Sequence, residues 1–345
     1  MTSKERVYAM LRGEKTDRTP GYIWVGPHAA KNLCEYYGIR AEELNDRIGN
    51  DVLQSWLSIN REMERECPPG ECFTDEWGNV WAHEGYYNVV VRHAMSGLNA
   101  EEIRQYPAPD VLDPKRFEAF DRLMETYGDR YFIGADVSGT IFEPAYHLRG
   151  MEDLLVDLVS GEEEADALLD KVAAQSKAIA IEAVKRGADW IWLGDDLGTQ
   201  NGMIMSPDLW REYFKPRMKE IIEAIREVKP EMFIAYHSCG SVWPVLPDLI
   251  EIGIDVINPL QESAKDMDHD RIRVLFGDQT TMFCGLDTQT FMTQAMPDEI
   301  RSATRSLLDR LGKDGKYLFG VSHTLQPDVP VVNIAAMIDE LDEES

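Results

Sequence analysis

Basic residues are scarce in this chain: 35 Lys and Arg stand against 62 Asp and Glu, a formal net charge of −27 over 345 residues. A surface so negative repels a phosphate backbone and anionic lipid, so nucleic acid and membrane are not expected partners. It still allows an anionic small molecule in a local basic pocket. Long apolar runs are also missing, and none approaches the ~20 residues that cross a bilayer. The opening stretch, "MTSKERVYAMLRGEKTDRTP", lacks the apolar core of a signal peptide and reads as an amphipathic helix with Val7, Met10 and Leu11 on one face. A cytoplasmic protein is expected. Cysteines are few and odd in number (Cys34, Cys67, Cys72, Cys239 and Cys284), which argues against structural disulfides. Cys67 and Cys72 bracket "PPGE" with no second pair, so they read as free thiols rather than half of a zinc ribbon. Repeats, low-complexity tracts and Gly/Ser linkers are absent. Residues 1–345 are therefore expected to form one domain, long for an ordinary one and normal for an α/β barrel.

At 44 % hydrophobic and 28 % charged, the composition is that of a globular protein. Short β-rich apolar runs alternate with longer helical patterns, which predicts βα units and a parallel sheet. The strand candidates are Gly21–Val25, Asp51–Leu57, Tyr131–Val137, Trp190–Gly194, Met232–Tyr236, Asp255–Pro259, Thr281–Leu286 and Tyr317–Val321. That is the number in a (β/α)8 TIM barrel. Between them, Ser206 can cap a helix that Pro207 begins, and Leu209, Tyr213, Phe214, Met218, Ile221, Ile222 and Ile225 follow at helical spacing. "MPDEIRSATRSLLDRLG" (Met296–Gly312) predicts another helix with an apolar stripe. "CFTDEWGNVWAHEGYYNVVVRHA" (Cys72–Ala94) breaks the alternation and reads as a β-hairpin inserted after the second strand, serving as a lid or an edge decoration. Trp77 and Trp81, four residues apart on it, are candidates to close the barrel mouth over an apolar or aromatic ligand.

Active sites in such barrels lie at the C-terminal ends of the strands. The candidate strands deliver Asp195-Asp196, then His237-Ser238-Cys239, then Asn258 and Gln261, then Asp287 and Gln289, then His323 to that rim. Only seven histidines exist in the chain, and two of them fall here. Polar rim residues are common as caps and solvated turns, but a ring drawn from successive strands points to a site. In "YHSCGSVWPVL", His237 and Cys239 are two apart, so on an extended backbone they face one side at about 7 Å between Cα atoms. Imidazole plus thiolate suits zinc, but two ligands need more from other strands. His323 is the first candidate for that role, with Cys284 and Asp196 behind it. The alternative is a small buried thiol beside a hydrogen-bonded histidine. Of the doubled acid, adjacent residues on a strand point oppositely, so Asp196 is expected to face the site and Asp195 to pack or cap.

The segments "WLGDDLGTQNGMIMSP", "YHSCGSVWPVLPDLIEIGIDVINPLQ", "FCGLDTQ" and "SHTLQPDVPVVNI" resemble the uroporphyrinogen decarboxylase superfamily, and more narrowly its corrinoid and thiol methyltransferase branch. The likeness covers roughly Ile133 to the C-terminus, with "DRTP" and "DEWGNVW" fitting too. It implies a (β/α)8 barrel and zinc on an H-x-C pair plus a cysteine at the end of the last strand. Here the pair is His237 and Cys239, while the third position holds His323 instead of cysteine. The true decarboxylases carry an arginine-rich loop after the first strand. The corresponding "GYIWVGPHAAKNLCEYYGI" offers His28 and Lys31 and no arginine pair, although His323 resembles a decarboxylase histidine. The resemblance thus implies a zinc-dependent methyltransferase moving a methyl group between a small-molecule donor or acceptor and a corrinoid on a partner protein. Asp196, Gln261 and His323 are its catalytic candidates, and Trp77, Trp81, Asp287 and Gln289 its substrate-binding ones. The alternatives are a decarboxylase of a tetrapyrrole or other carboxylate, and a non-catalytic corrinoid or tetrapyrrole binder. A homodimer is compatible with the resemblance.

Overall fold

In the computed structural model, described over residues 1–60, 65, 67, 68, 70–84, 87–312 and 315–343, regular strands begin with β1 (Val52–Trp56). There follow β2 (Cys72–Thr74), β3 (Val80–Glu84), β4 (Tyr87–Arg92), β5 (Phe132–Asp136), β6 (Trp190–Gly194), β7 (Gly198–Thr199) and β8 (Gly202–Met203). The last four are β9 (Phe233–His237), β10 (Val256–Asn258), β11 (Thr281–Leu286) and β12 (Tyr317–Val321). One seven-stranded parallel sheet runs β1-β5-β6-β9-β10-β11-β12, and helices connect its strands. These strands lie within a residue or two of their expected positions. The expected first strand is reduced to isolated parallel bridges: Gly21 pairs with both Asn50 and Phe319, and Val25 with Leu325. Residues 21–25 thus touch β12 at one edge of the sheet and the chain leading into β1 at the other.

Side chains from successive strands fill the inside of the sheet. Val52, Phe132, Trp190, Trp192, Ala235, Val256, Phe283 and Leu318 pack together with Val7, Met10 and Leu11 of the first helix, Ser3–Leu11. That helix starts in a capping box between Thr2 and Glu5, which satisfies two of its orphan N–H groups. Its apolar face covers the end of the sheet remote from the site, each large side chain contributing ~1.5–3 kcal/mol through burial. An ionic knot fastens this end. Fully buried Asp51 accepts hydrogen bonds from Arg6 Nη1 (2.5 Å), Arg18 Nη1 (2.9 Å) and Gly21 N (2.9 Å).

The helix predicted after β6 is capped by Ser206, whose Oγ accepts from Leu209 N, and Pro207 opens it. A π-type turn at Trp210–Phe214 joins it to Lys215–Val228. The inserted segment differs from the two-strand expectation: β2, β3 and β4 form a three-stranded antiparallel sheet. Its turn is organised by buried Asp75, which accepts from Trp77 N, Asn79 N, Asn79 Nδ2, Asn60 Nδ2 and Trp81 Nε1.

Candidate metal and substrate site

His237 ends β9 and Asn258 ends β10, and the two are register partners. Asn258 Nδ2 donates to Phe283 O at 3.5 Å, which turns its Oδ1 toward Nδ1 of His237 at 2.6 Å. An amide oxygen only accepts, so Nδ1 carries a proton, and in the neutral ring the lone pair falls on Nε2. That Nε2 lies 3.5 Å from Cys239 Sγ and 3.5 Å from Asp196 Oδ1. Space for the imidazole comes from Gly194, the register partner on β6: a Cβ there would lie 2.8 Å from Cβ of His237. Beyond Cys239 the chain turns through Gly240 at φ +75°, where a Cβ would collide with the carbonyl carbon of Gly198 at 2.5 Å.

His323, in the loop after β12, completes a cluster. One ligand atom from each of His237, Cys239 and His323 lies within 4.8 Å of the others. Burial, and then Asp196, push the Cys239 thiol well above its ordinary range, so a thiolate there requires a cation beside it. His323 is solvent-exposed, yet the protein around its ring, and then His237, lower its pKa from the usual histidine value. A lone pair on each imidazole beside a thiol that a cation would ionise is a donor set that fits zinc. Asp196 braces the set, its Oδ1 accepting from Cys239 N at 2.8 Å. Asp195 points the other way and is buried. It accepts from Ile141 N and Glu143 N at the start of the helix Phe142–Arg149, and burial pushes its carboxyl up to about 7.

A cleft of about 380 Å³ opens beside the cluster. His237, His323 and Asp196 line it together with Tyr22, Trp24, Trp56, Trp192, Asp136 and Glu143. The register explains part of this wall, because Trp56, Asp136 and Trp192 sit side by side on β1, β5 and β6. The Trp24 ring lies 5.5 Å from that of His237 and 6.3 Å from that of His323. Its indole N–H is buried with no hydrogen-bond partner among the described residues. Asp136 accepts from Gln54 Nε2 and from Ser138 N and Oγ, all neutral donors. Burial raises its pKa, and Glu143 is raised well above the usual carboxylate range by burial and then by Asp196, Asp195 and Asp136. Among the described residues of the lining there is no Lys or Arg.

Other candidates stand elsewhere. Gln261 is buried behind the rim, its Oε1 accepting from Gly240 N at 2.6 Å and its Nε2 donating to Ser322 O at 3.3 Å, so both ends of its amide are spent on backbone. Asp287 accepts from Thr290 N and Phe291 N within its own loop, and Gln289 meets Gln200 at the surface. Trp77 and Trp81 are buried, their indole N–H groups donating to Ile59 O and Asp75 Oδ2. Trp77 lines a small cavity shared with Glu143 and His147, next to the cleft rather than across its mouth. Cys284 is buried in β11 and outside the ligand cluster. The sequence reading passed over Tyr22, Trp24, Trp56, Asp136 and Glu143. For the first four the signal available was their place in the first three expected strands; Glu143 sits on the helix Phe142–Arg149, beyond them.

The family model described as uroporphyrinogen decarboxylase (URO-D) matches residues 80–344. The chain belongs to the URO-D family. Its similarity extends to members with different chemistry. It is 24 % identical over 326 residues to the methylcobamide:CoM methyltransferase MtbA of Methanosarcina acetivorans, covering 89 % of each chain. It is 27 % identical over 196 residues to a uroporphyrinogen decarboxylase of Legionella pneumophila, covering 56 % of this chain and 52 % of that one. Among solved structures, a methyltransferase from Methanosarcina mazei superposes with a TM-score of 0.72 at 18 % identity over 99 % of both chains, which establishes a shared fold. Among the described residues no helix is long and apolar enough to cross a membrane.

Proposed function

We propose that this URO-D family protein is a zinc-dependent methyltransferase that moves a methyl group between a small substrate and a corrinoid carried by a separate protein. The observation that carries the reading is the convergence of His237, Cys239 and His323 within 4.8 Å beside an open cleft. These three residues would hold the ion, and His323 would replace the cysteine that the family resemblance implies. Bound zinc would keep a substrate thiol ionised at neutral pH or polarise an ether oxygen. Asn258 fixes the tautomer of His237, and Asp196 holds the Cys239 backbone and stands ready to take a proton from a heteroatom brought to the centre. The ring of residues 21–25 joining both edges of the sheet is read as the eighth strand of a closed (β/α)8 barrel.

The decarboxylase reading is disfavoured by the lining. A porphyrinogen with many carboxylates needs cationic donors, whereas Asp136, Glu143 and Asp196 would repel it. The test is metal analysis joined to a transfer assay. Zinc-loaded protein is mixed with methylcobalamin and small thiols, and loss of the methyl–cobalt absorbance is followed alongside zinc content. Demethylation that requires zinc and vanishes in Cys239→Ala supports the reading. Zinc-free protein as isolated and reconstituted, or porphyrinogen decarboxylation, overturns it.

A further inference from the structure

The cleft places aromatic faces and acidic side chains together and, among the described residues, offers no Lys or Arg to pair with them. Tyr22, Trp24 and Trp56 are partly open to it, and Trp192 lies buried behind Trp24 with ring centroids 5.4 Å apart. Asp136 stands in register between Trp56 and Trp192. Glu143 faces the same space, and its carboxylate has no hydrogen bond or ion pair among the described residues. An enclosed carboxyl group without a protein partner keeps its proton, as burial favours here, unless a cationic ligand arrives to pair with the ionised form. Two other buried acids are treated differently: Asp51 has two arginines, and Asp157 has Arg149.

We propose that the small methyl substrate carries an ammonium group, seated against Tyr22, Trp24 and Trp56 and neutralised by Asp136 and Glu143, with its reacting atom reaching the His237–Cys239–His323 centre. The proposal rests on the methyl-transfer reading for the identity of the cargo, and on the cleft alone for its charge. A cation over an aromatic face is attracted by the ring quadrupole, and desolvation in a cleft strengthens the attraction. The neighbouring carboxylates supply the long-range part, and the overall charge of −27 draws cations toward the protein. The same lining discriminates against anionic substrates, which meet three acidic side chains and, among the described residues, no Lys or Arg. The 5.5 Å between the Trp24 and His237 rings keeps the onium site and the metal ligands within the length of one small molecule.

The test uses full-length protein loaded with zinc and two probes of the same shape, choline and its neutral carbon analogue 3,3-dimethylbutan-1-ol. Binding is followed by tryptophan fluorescence and calorimetry. Choline is expected to bind at least about tenfold more tightly than the neutral analogue, a preference typical of desolvated cation–π contacts backed by carboxylates. Glu143→Gln and, independently, Trp56→Leu are each expected to remove most of that preference while leaving zinc content unchanged. Equal binding of the two probes, or no choline binding by protein that holds its zinc, overturns the inference and leaves the methyltransferase reading standing. Choline selectivity in protein that never takes up zinc sinks the methyltransferase reading and leaves the cation site standing.

Discussion

Nδ1 of His237 lies 2.6 Å from the amide oxygen of Asn258, its register partner on the neighbouring strand, so the lone pair on the far side of the ring is directed toward Cys239. Partners of this kind fix the orientation of a ligating imidazole. Asn258→Ala is expected to weaken zinc binding about 10–100-fold while the protein remains folded. Competition with a fluorescent zinc chelator measures it. An unchanged affinity would show that the amide does not orient the ring.

Removal of the thiol is the stronger test of the ligand set. Cys239→Ala is expected to reduce zinc from about one ion per chain to near zero. Protons compete for the same lone pairs, so affinity should fall as the pH drops below ~6.5, the ordinary histidine value. Because the pKa of His323 is lowered, its share of that loss should come further down the scale than for a free imidazole. Elemental analysis after dialysis at a series of pH values checks both statements.

At the opposite end of the sheet, Asp51 is fully buried between Arg6 and Arg18. Asp51→Asn leaves the two guanidinium groups without their charge partner and is expected to cost about 3–5 kcal/mol, the usual range for breaking one side of a buried ion pair. Urea denaturation reads the loss directly. The change should not alter zinc stoichiometry in the fraction that remains folded.

His147 supplies a pH dependence of stability. Its ring packs 5.0 Å from Trp81 and 4.5 Å from Tyr146, and burial lowers its pKa to about 4. The unfolded histidine protonates near 6.5 and the folded one does not, so the unfolded state binds more protons between about pH 6.5 and 4. Stability should therefore fall as the pH is lowered through that window, by at most about 3 kcal/mol from this group. Thermal melts of the wild type and of His147→Asn are the measurement. The variant should show the shallower decline, and parallel curves would assign the acid sensitivity elsewhere.

The sheet was legible where apolar runs are continuous. β6, β11 and β12 match their expected bounds residue for residue because nearly all their side chains are buried, which leaves an unbroken apolar signal. Gly21–Val25 pairs only through isolated bridges, and the run of residues that predicts a strand does not reveal how few ladder bonds it makes. β2 has exposed Cys72 and Thr74 around a buried Phe73, too short a pattern to separate from the turn that follows. In the site, His237, Cys239, Asp196 and His323 could be read because each follows directly on a strong strand. Trp77 and Trp81 show the opposite case. A tryptophan on an inserted segment looks like a wall for ligand, but Asp75 and the Ile59 carbonyl claim the indole N–H groups and draw both rings inward. Glu143 was hidden because its place at the cleft depends on Asp195 capping the helix that carries it, a contact between residues 52 apart in the chain.

Gln261 holds the amide of Gly240 with one end and the carbonyl of Ser322 with the other. It thereby fastens the loop carrying Cys239 to the loop carrying His323. The spacing of the donors is set by an amide tie and not by the ion they would receive. A centre assembled in this way acts as a template: it admits ions whose bond lengths suit nitrogen and sulfur at that spacing and resists being remoulded around others. An ion bound there would be able to leave and return without the sheet coming apart, which would separate the occupancy of this site from the folding of the chain that builds it.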